Sequence, residues 1–190
     1  MKLVVGLGNP GKDYAGARHN AGFWFLDHLA DAARVTFKSE PKLYGRVGRI
    51  ASGREEVWLL KPQTYMNESG RSVAALVRFY KIAPEEILVV HDELDLLPGT
   101  VRLKLGGGVN GHNGLKDIAA HLGSHDFWRL RVGIGHPGDK DVVADYVLNP
   151  PRKEEQELLA QAISRALGVW PLIAEGNCQA AILKLHTPKP

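Results

Sequence analysis

The chain has 190 residues, one cysteine (Cys178), and 24 lysines and arginines against 21 acids, giving a net charge of +3 and a pI near 9.0. That length suits one well-packed domain, and no Ser/Gly/Pro-rich linker or composition shift divides it, so residues 1–190 read as a single domain. One thiol excludes an internal disulfide and a multi-thiolate zinc site, no apolar run approaches the roughly 18 residues of a bilayer span, and mild basicity admits an anionic partner without forming a dense nucleic-acid-binding tract.

Residues 2–7 read as a short buried strand rather than a signal peptide, because Gly6 and Gly8 break the apolar run and no cleavage pattern follows. The expected setting is therefore cytoplasmic, away from membranes. Residues 20–34 follow as a helix with Phe23, Leu26, Leu29, Ala30 and Ala33 on its apolar face and Asn20 as its cap. Residues 43–50 and 56–60 form a hairpin with its turn at 51–53, and Pro62 stops the second strand. Val73, Leu76, Val77 and Tyr80 give residues 68–82 a helical period, and a buried strand over 87–90 ends at His91-Asp92.

Residues 100–105 are a further strand. The glycines of 106–111 predict a mobile loop leading into a helix over 114–122, and residues 129–134 form another strand. The final helix starts at Pro150-Pro151, carries Glu154 and Glu155 early, and continues through Leu158, Leu159, Ala162, Ile163, Ala166 and Leu167. Strands interleaved with helices give an α/β fold, a single three-layer domain whose β-sheet is mixed because the hairpin must be antiparallel.

Gly6-Leu7-Gly8-Asn9-Pro10-Gly11 matches G-x-G-x-x-G directly after a strand. A dinucleotide site also needs a helix opening at that loop and an acid about 20 residues on at a strand end. Here Pro10-Gly11 reads as a turn, helical periodicity begins only near Asn20, and Glu40 comes too late. A structural glycine turn with Asn9 at its tip fits better than a nicotinamide or flavin site, and no cofactor is expected.

Histidine is the natural general base near neutral pH, and His19 stands out because it precedes a helix close to the first strand's loop. His91 and His112 are supporting candidates, whereas His121 and His125 flank a Gly-Ser turn as solvated residues. Asp92, following an apolar strand, can orient an imidazole from the sheet's carboxyl edge. Spacing leaves a second reading open, in which Asp92 caps a turn and Asp95 is the functional acid. Asn9, Asn67 and Asn113 offer donor and acceptor without titrating, which suits reading amide and ester groups, although asparagine is also a common turn former.

No G-x-S-x-G elbow, H-E-x-x-H, paired C-x-x-C or Walker sequence is present, which argues against a serine-nucleophile hydrolase and a familiar zinc or P-loop enzyme and leaves water as the expected nucleophile. Lys104, Lys116, Arg129 and Arg131 make either a phosphate-binding patch or a solvated sheet margin.

Six segments together, Gly6 to Gly11 with Tyr14, Arg18-His19-Asn20, Lys61 to Asn67, His91 to Asp95, Gly106-Gly107-Gly108 with Gly111 to Gly114, and Arg129 to Pro137, resemble bacterial peptidyl-tRNA hydrolase nearly end to end and in the family's order. The resemblance implies a monomeric, metal-free enzyme that cleaves the ester between a peptide and the terminal ribose of tRNA, with peptidyl-tRNA as its partner. By motif, it implies His19 as catalytic base and Asp92 as its partner, and Asn9, Asn67 and Asn113 holding the peptide end and reacting carbonyl. It further implies that Tyr14, Met66 and His112 line the cleft and that Lys104 and Arg131 contact tRNA phosphate. Ala17 departs from the threonine often found before Arg-His-Asn, which removes a local hydrogen bond without touching a reacting group.

Overall fold

In the computed structural model, which describes residues 1–187, every residue of β1 (Leu3–Gly6) is buried, as its uninterrupted apolar run requires. The last three residues of the expected 1–190 domain lie outside the described residues. In chain order the other elements are α1 (Ala21–Ala33), β2 (Lys38–Glu40), β3 (Gly45–Ser52), β4 (Glu55–Pro62), α2 (Ser69–Tyr80), β5 (Ile87–Glu93), β6 (Val101–Leu105), α3 (Asn113–Leu122), β7 (Trp128–Gly133), α4 (Val143–Leu148), α5 (Lys153–Ala174) and α6 (Cys178–His186).

The strands form one seven-stranded mixed sheet in the order β2-β3-β4-β1-β5-β7-β6. Its centre, β4-β1-β5-β7, is parallel, and antiparallel pairs close both margins. The pleat sends alternate residues to opposite layers. Val4, Leu88, Val90 and Leu130 meet Phe25 and Leu26 of α1 and Leu159 and Ile163 of α5, whereas Leu3, Val5, Ile87 and Val89 meet Val73 and Leu76 of α2 and Leu115 and Ile118 of α3. The expected three-layer α/β architecture is the one observed.

Two features of this frame position the site. β1 and β5 are parallel neighbours with Gly6 opposite Val90, so the loop leaving β1 and the carboxyl end of β5 emerge side by side. The crossover helices α1 and α2 pack on opposite faces of the sheet, placing a topological switch where open α/β sheets bind ligands. Second, α1 sits against the sheet at an unusually short distance. A Cβ on Gly22 would lie 2.3 Å from the Val90 carbonyl oxygen and 2.4 Å from Leu7 N, a space only glycine leaves open.

Several local expectations need correction. Asn20 does not cap α1 through its side chain, which is engaged elsewhere. The hairpin turn is Gly53-Arg54 rather than residues 51–53, with Gly53 at φ 62° supplying the left-handed position, and Leu43 lies in a 3-10 turn before β3. His91 and Asp92 are part of β5 rather than its sequel. The helix after Pro150-Pro151 is not the last, since α6 follows and its His186 Nε2 accepts the Leu103 N–H at 3.0 Å, covering the free margin of β6.

The G-x-G-x-x-G stretch is a turn, as expected. Gly11 has φ 104° and leads only into a 3-10 turn (Lys12–Tyr14), so no helix N-terminus faces a pyrophosphate. Among the described residues, no helix is long and apolar enough to cross a membrane.

Candidate active site

His19 occupies a 3-10 turn (Arg18–Asn20) between the β1 loop and α1, and both of its neighbours anchor it. Arg18 is buried, donates to the Tyr146 and Asn149 carbonyls at 2.9 and 3.3 Å, lies 3.5 Å from Glu155 and stacks 3.8 Å from the Tyr146 ring centroid. Glu155 keeps Arg152 at 2.8 Å in any case, so the firmest part of this clamp is the pair of carbonyl bonds that ties the turn to α4. Asn20 is engaged in the opposite direction. Its Oδ1 accepts the Asn9 N–H at 2.9 Å and its Nδ2 donates to the Asn9 carbonyl at 3.0 Å, a reciprocal brace between the turn and the β1 loop. Ala17 offers no side-chain cap, and the Asn20 N–H closes the turn onto its backbone carbonyl at 2.9 Å.

The imidazole so held meets Asp92 at the end of β5. His19 Nδ1 lies 3.0 and 2.9 Å from the two carboxylate oxygens. An ionised carboxylate only accepts, so Nδ1 carries the proton and Nε2 keeps its lone pair. His19 Nε2 makes no hydrogen bond among the described residues, and the side chain retains 12% of its exposure, enough to meet a reactant. Burial pushes the His19 pKa down, but the charge and hydrogen bond of Asp92 outweigh it and leave the imidazole more basic than the ordinary 6.5. Burial works the other way on Asp92, and donation from His19 and His112 outweighs it, holding the acid far below the usual carboxylate range.

His112, immediately before α3, is the second imidazole on this carboxylate, with Nε2 2.9 Å from Asp92 Oδ1. Its Nδ1 accepts the Gly114 and Leu115 N–H groups at 3.1 and 3.4 Å, capping the helix. The ligand atoms of His19, Asp92 and His112 lie within 4.8 Å of one another, a spacing that invites a metal. The donor set does not fit one: Nδ1 is committed as acceptor, so Nε2 of neutral His112 bears a proton where a ligand lone pair would be needed.

The other expected site residues fall around this pair with different degrees of engagement. Asn9 is buried and its Oδ1 accepts the Met66 N–H at 2.7 Å, leaving Nδ2 without a partner among the described residues. Met66 is a core residue whose sulfur faces Gly114, while Asn67 beside it is exposed on a 3-10 turn (Met66–Glu68). Asn113 is the exposed first residue of α3, and Tyr14 is half-buried beyond Gly11. None of these is hydrogen-bonded to the imidazole–carboxylate pair.

Behind His112 lies a cavity of about 310 Å³ bordered by His91, Lys104, Arg129 and Arg131. Lys104 is exposed and makes no ion pair among the described residues. Arg131 is tied to Glu93 at 2.8 Å, a partner that the sequence reading overlooked. Arg129 is not a free phosphate ligand. It is buried and donates to the carbonyls of Gly108, Gly107 and His125 at 2.6, 3.0 and 3.2 Å, so the loop expected to be mobile is pinned on one side. The bracing roles of Arg18, Asn20 and Glu155 are not legible locally, where Asn20 reads as a cap and Glu155 as an early helix acid; the signal present was the charged and amide neighbours flanking His19.

A parallel-centred sheet that delivers a carboxylate-oriented imidazole with an open ring nitrogen to its ligand-binding edge defines an α/β protein equipped for acid–base chemistry. The family model described as peptidyl-tRNA hydrolase matches residues 3–190. The chain is 65% identical over 189 residues to peptidyl-tRNA hydrolase of Nitrosospira multiformis, spanning 100% of this chain and 99% of that one. It is 59% identical over 187 residues to that of Nitrosomonas europaea, spanning 98% and 96%. The crystal structure of peptidyl-tRNA hydrolase from Acinetobacter baumannii superimposes with a TM-score of 0.96 at 50% identity, covering 100% of this chain and 96% of that one. The chain belongs to the peptidyl-tRNA hydrolase family.

Proposed function

We propose that residues 1–190 act as one catalytic unit that hydrolyses the ester between the peptide and the terminal ribose of peptidyl-tRNA, returning tRNA to translation. The observation that carries this reading is the His19–Asp92 pair, 2.9 Å apart, with the His19 side chain still partly exposed. Nε2 takes a proton from water as its oxygen bonds to the ester carbonyl carbon. The same imidazolium returns that proton to the ribose oxygen as the C–O bond breaks, leaving a free ribose hydroxyl and a peptide carboxylic acid that releases its remaining proton to solvent. Asn9 Nδ2, braced by Asn20 and Met66, is the best-positioned donor for the developing oxyanion, because a preorganised donor needs no rearrangement during reaction. Asn67, Asn113 and Tyr14 hold the peptide end, and Met66 shapes the floor between them. The tautomer of His112 supports a metal-independent reaction. We assign the enzyme to the cytoplasm, where its substrate is made, and to the monomeric state. Incubating the protein with an N-blocked aminoacyl-tRNA should release free tRNA in the presence of a chelator; intact ester under those conditions rejects the reading.

Lys104 and Arg131 face the same side as the glycine loop and are assigned to tRNA phosphate. Lys104→Ala should flatten the dependence of log affinity on log salt by about one contact's worth, because one fewer counterion is released. Arg131→Ala should flatten it as well and weaken binding at every salt concentration, since Glu93 is then left unpaired beside the phosphate. A salt slope identical to the parent's would remove either residue from the interface.

A further inference from the structure

Two imidazoles share one carboxylate, yet the reaction needs only one to change its protonation. His19 and His112 both approach Asp92 Oδ1, at 3.0 and 2.9 Å, with their ring centroids 4.8 Å apart. Symmetry ends there. His19 Nε2 is open, whereas His112 Nδ1 is the target of two backbone N–H groups at the start of α3. A proton on that nitrogen would point at the Gly114 and Leu115 donors and break the helix cap.

His91 closes the opposite side. It is buried in β5, its Nδ1 donates to the Asp92 backbone carbonyl at 2.8 Å, and its ring meets His112 edge-on at 5.2 Å. Burial pushes the His91 pKa down to about 3, so this ring adds bulk and no charge at neutral pH. The remaining charged groups facing the cluster, Glu93, Asp95, Lys104, Arg129 and Arg131, border the cavity beyond His112, and Arg18 turns away toward Glu155.

We propose that His112 is a positioning residue: fixed as the neutral Nε2–H tautomer, it anchors Asp92 and leaves His19 as the only member of the cluster that takes up a proton. This rests on the assignment of His19 as the base and replaces the cleft-lining role implied for His112 by the family resemblance. One consequence concerns strength. The His112 donor disperses part of the Asp92 charge, so it moderates the pull that Asp92 exerts on a protonated His19. Without that donor the imidazolium would be held too tightly, and the base would be neutral only at higher pH.

The test has two arms. In the unmodified protein, ¹⁵N–¹H spectra of the histidine rings across roughly pH 5–8 should show His19 titrating and His112 constant as the Nε2–H form. This arm needs no substrate, so it decides the proton assignment separately from whether the protein cleaves peptidyl-tRNA. In kinetics, His112→Leu should move the acid limb of kcat/KM upward by about one pH unit, lowering activity on that limb roughly ten-fold with KM little changed. His112→Gln, which keeps an N–H donor, should bring the limb back toward its original position; a merely structural role would not separate these variants by pH profile. A His112 signal that titrates alongside His19, or a folded Leu variant whose acid limb stays in place, overturns the proposal.

Discussion

His19→Ala is expected to lower kcat by about 10² to 10⁴, with the affinity for tRNA close to that of the parent protein. The removed group carries the accessible open ring nitrogen of the cluster; His91 Nε2 also lacks a partner among the described residues but is buried, and its other nitrogen faces a backbone carbonyl rather than a carboxylate. Binding should survive because the cationic groups line the far side of His112 and touch neither His19 nor its turn. Single-turnover hydrolysis and filter binding measured on the same preparation separate the two effects. Hydrolysis within a few-fold of normal would show that another group accepts the proton.

Asp92→Asn should reduce kcat about 10²-fold and shift the acid limb of the pH–rate profile downward, and both effects follow from one geometry. His19 Nδ1 meets both carboxylate oxygens, and His112 Nε2 meets one of them. An amide has a single acceptor end. If its oxygen faces His112, its N–H₂ is directed at the His19 N–H; if it is turned round, the conflict falls on His112. Relief by proton migration in His19 places hydrogen on Nε2 and removes the lone pair that attacks water. The direction of the pH effect follows from charge. The parent His19 is raised above 6.5 by the Asp92 carboxylate, so neutralising that residue lowers its pKa and carries the limb with it. The Asp92 and His112 variants thus move the limb in opposite directions, a contrast that loss of folding does not produce.

The central strands are legible in the sequence because a strand buried on both faces must be continuously apolar, as Leu3 to Val5 and Ile87 to Val90 are. β2 is not, since Lys38, Ser39 and Glu40 are all exposed and carry no alternation; its pairing partner alone makes it a strand. Helix α4 is too short for a periodicity to stand out. The mistaken cap at Asn20 has a physical reason as well. Local preference selects asparagine at a helix start, but a partner brought in by the fold, the Asn9 backbone, offers two bonds where a cap offers one.

The chemistry was partly visible for a related reason. Residue types and loop positions identify an imidazole and a carboxylate as candidates, whereas their meeting spans 73 positions along the chain and depends on β1 and β5 being neighbours. The supporting groups were hidden further. Arg129 and Arg131 are alternate residues of one strand and read alike, yet one secures loop carbonyls and the other pairs with Glu93. Only a three-dimensional arrangement distinguishes them.

The clamp on Arg18 carries a consequence for biosynthesis. The carbonyls and acid that fix the turn bearing His19 come from residues 128 to 137 positions later in the chain. A growing polypeptide that has already made its base, its acid and its sheet still lacks the bolts that hold the base in line. Competence for ester cleavage therefore arrives late, once residues 146–155 have cleared the exit tunnel and docked, so a truncated product ending before them would bear the reactive pair and yet be a poor hydrolase.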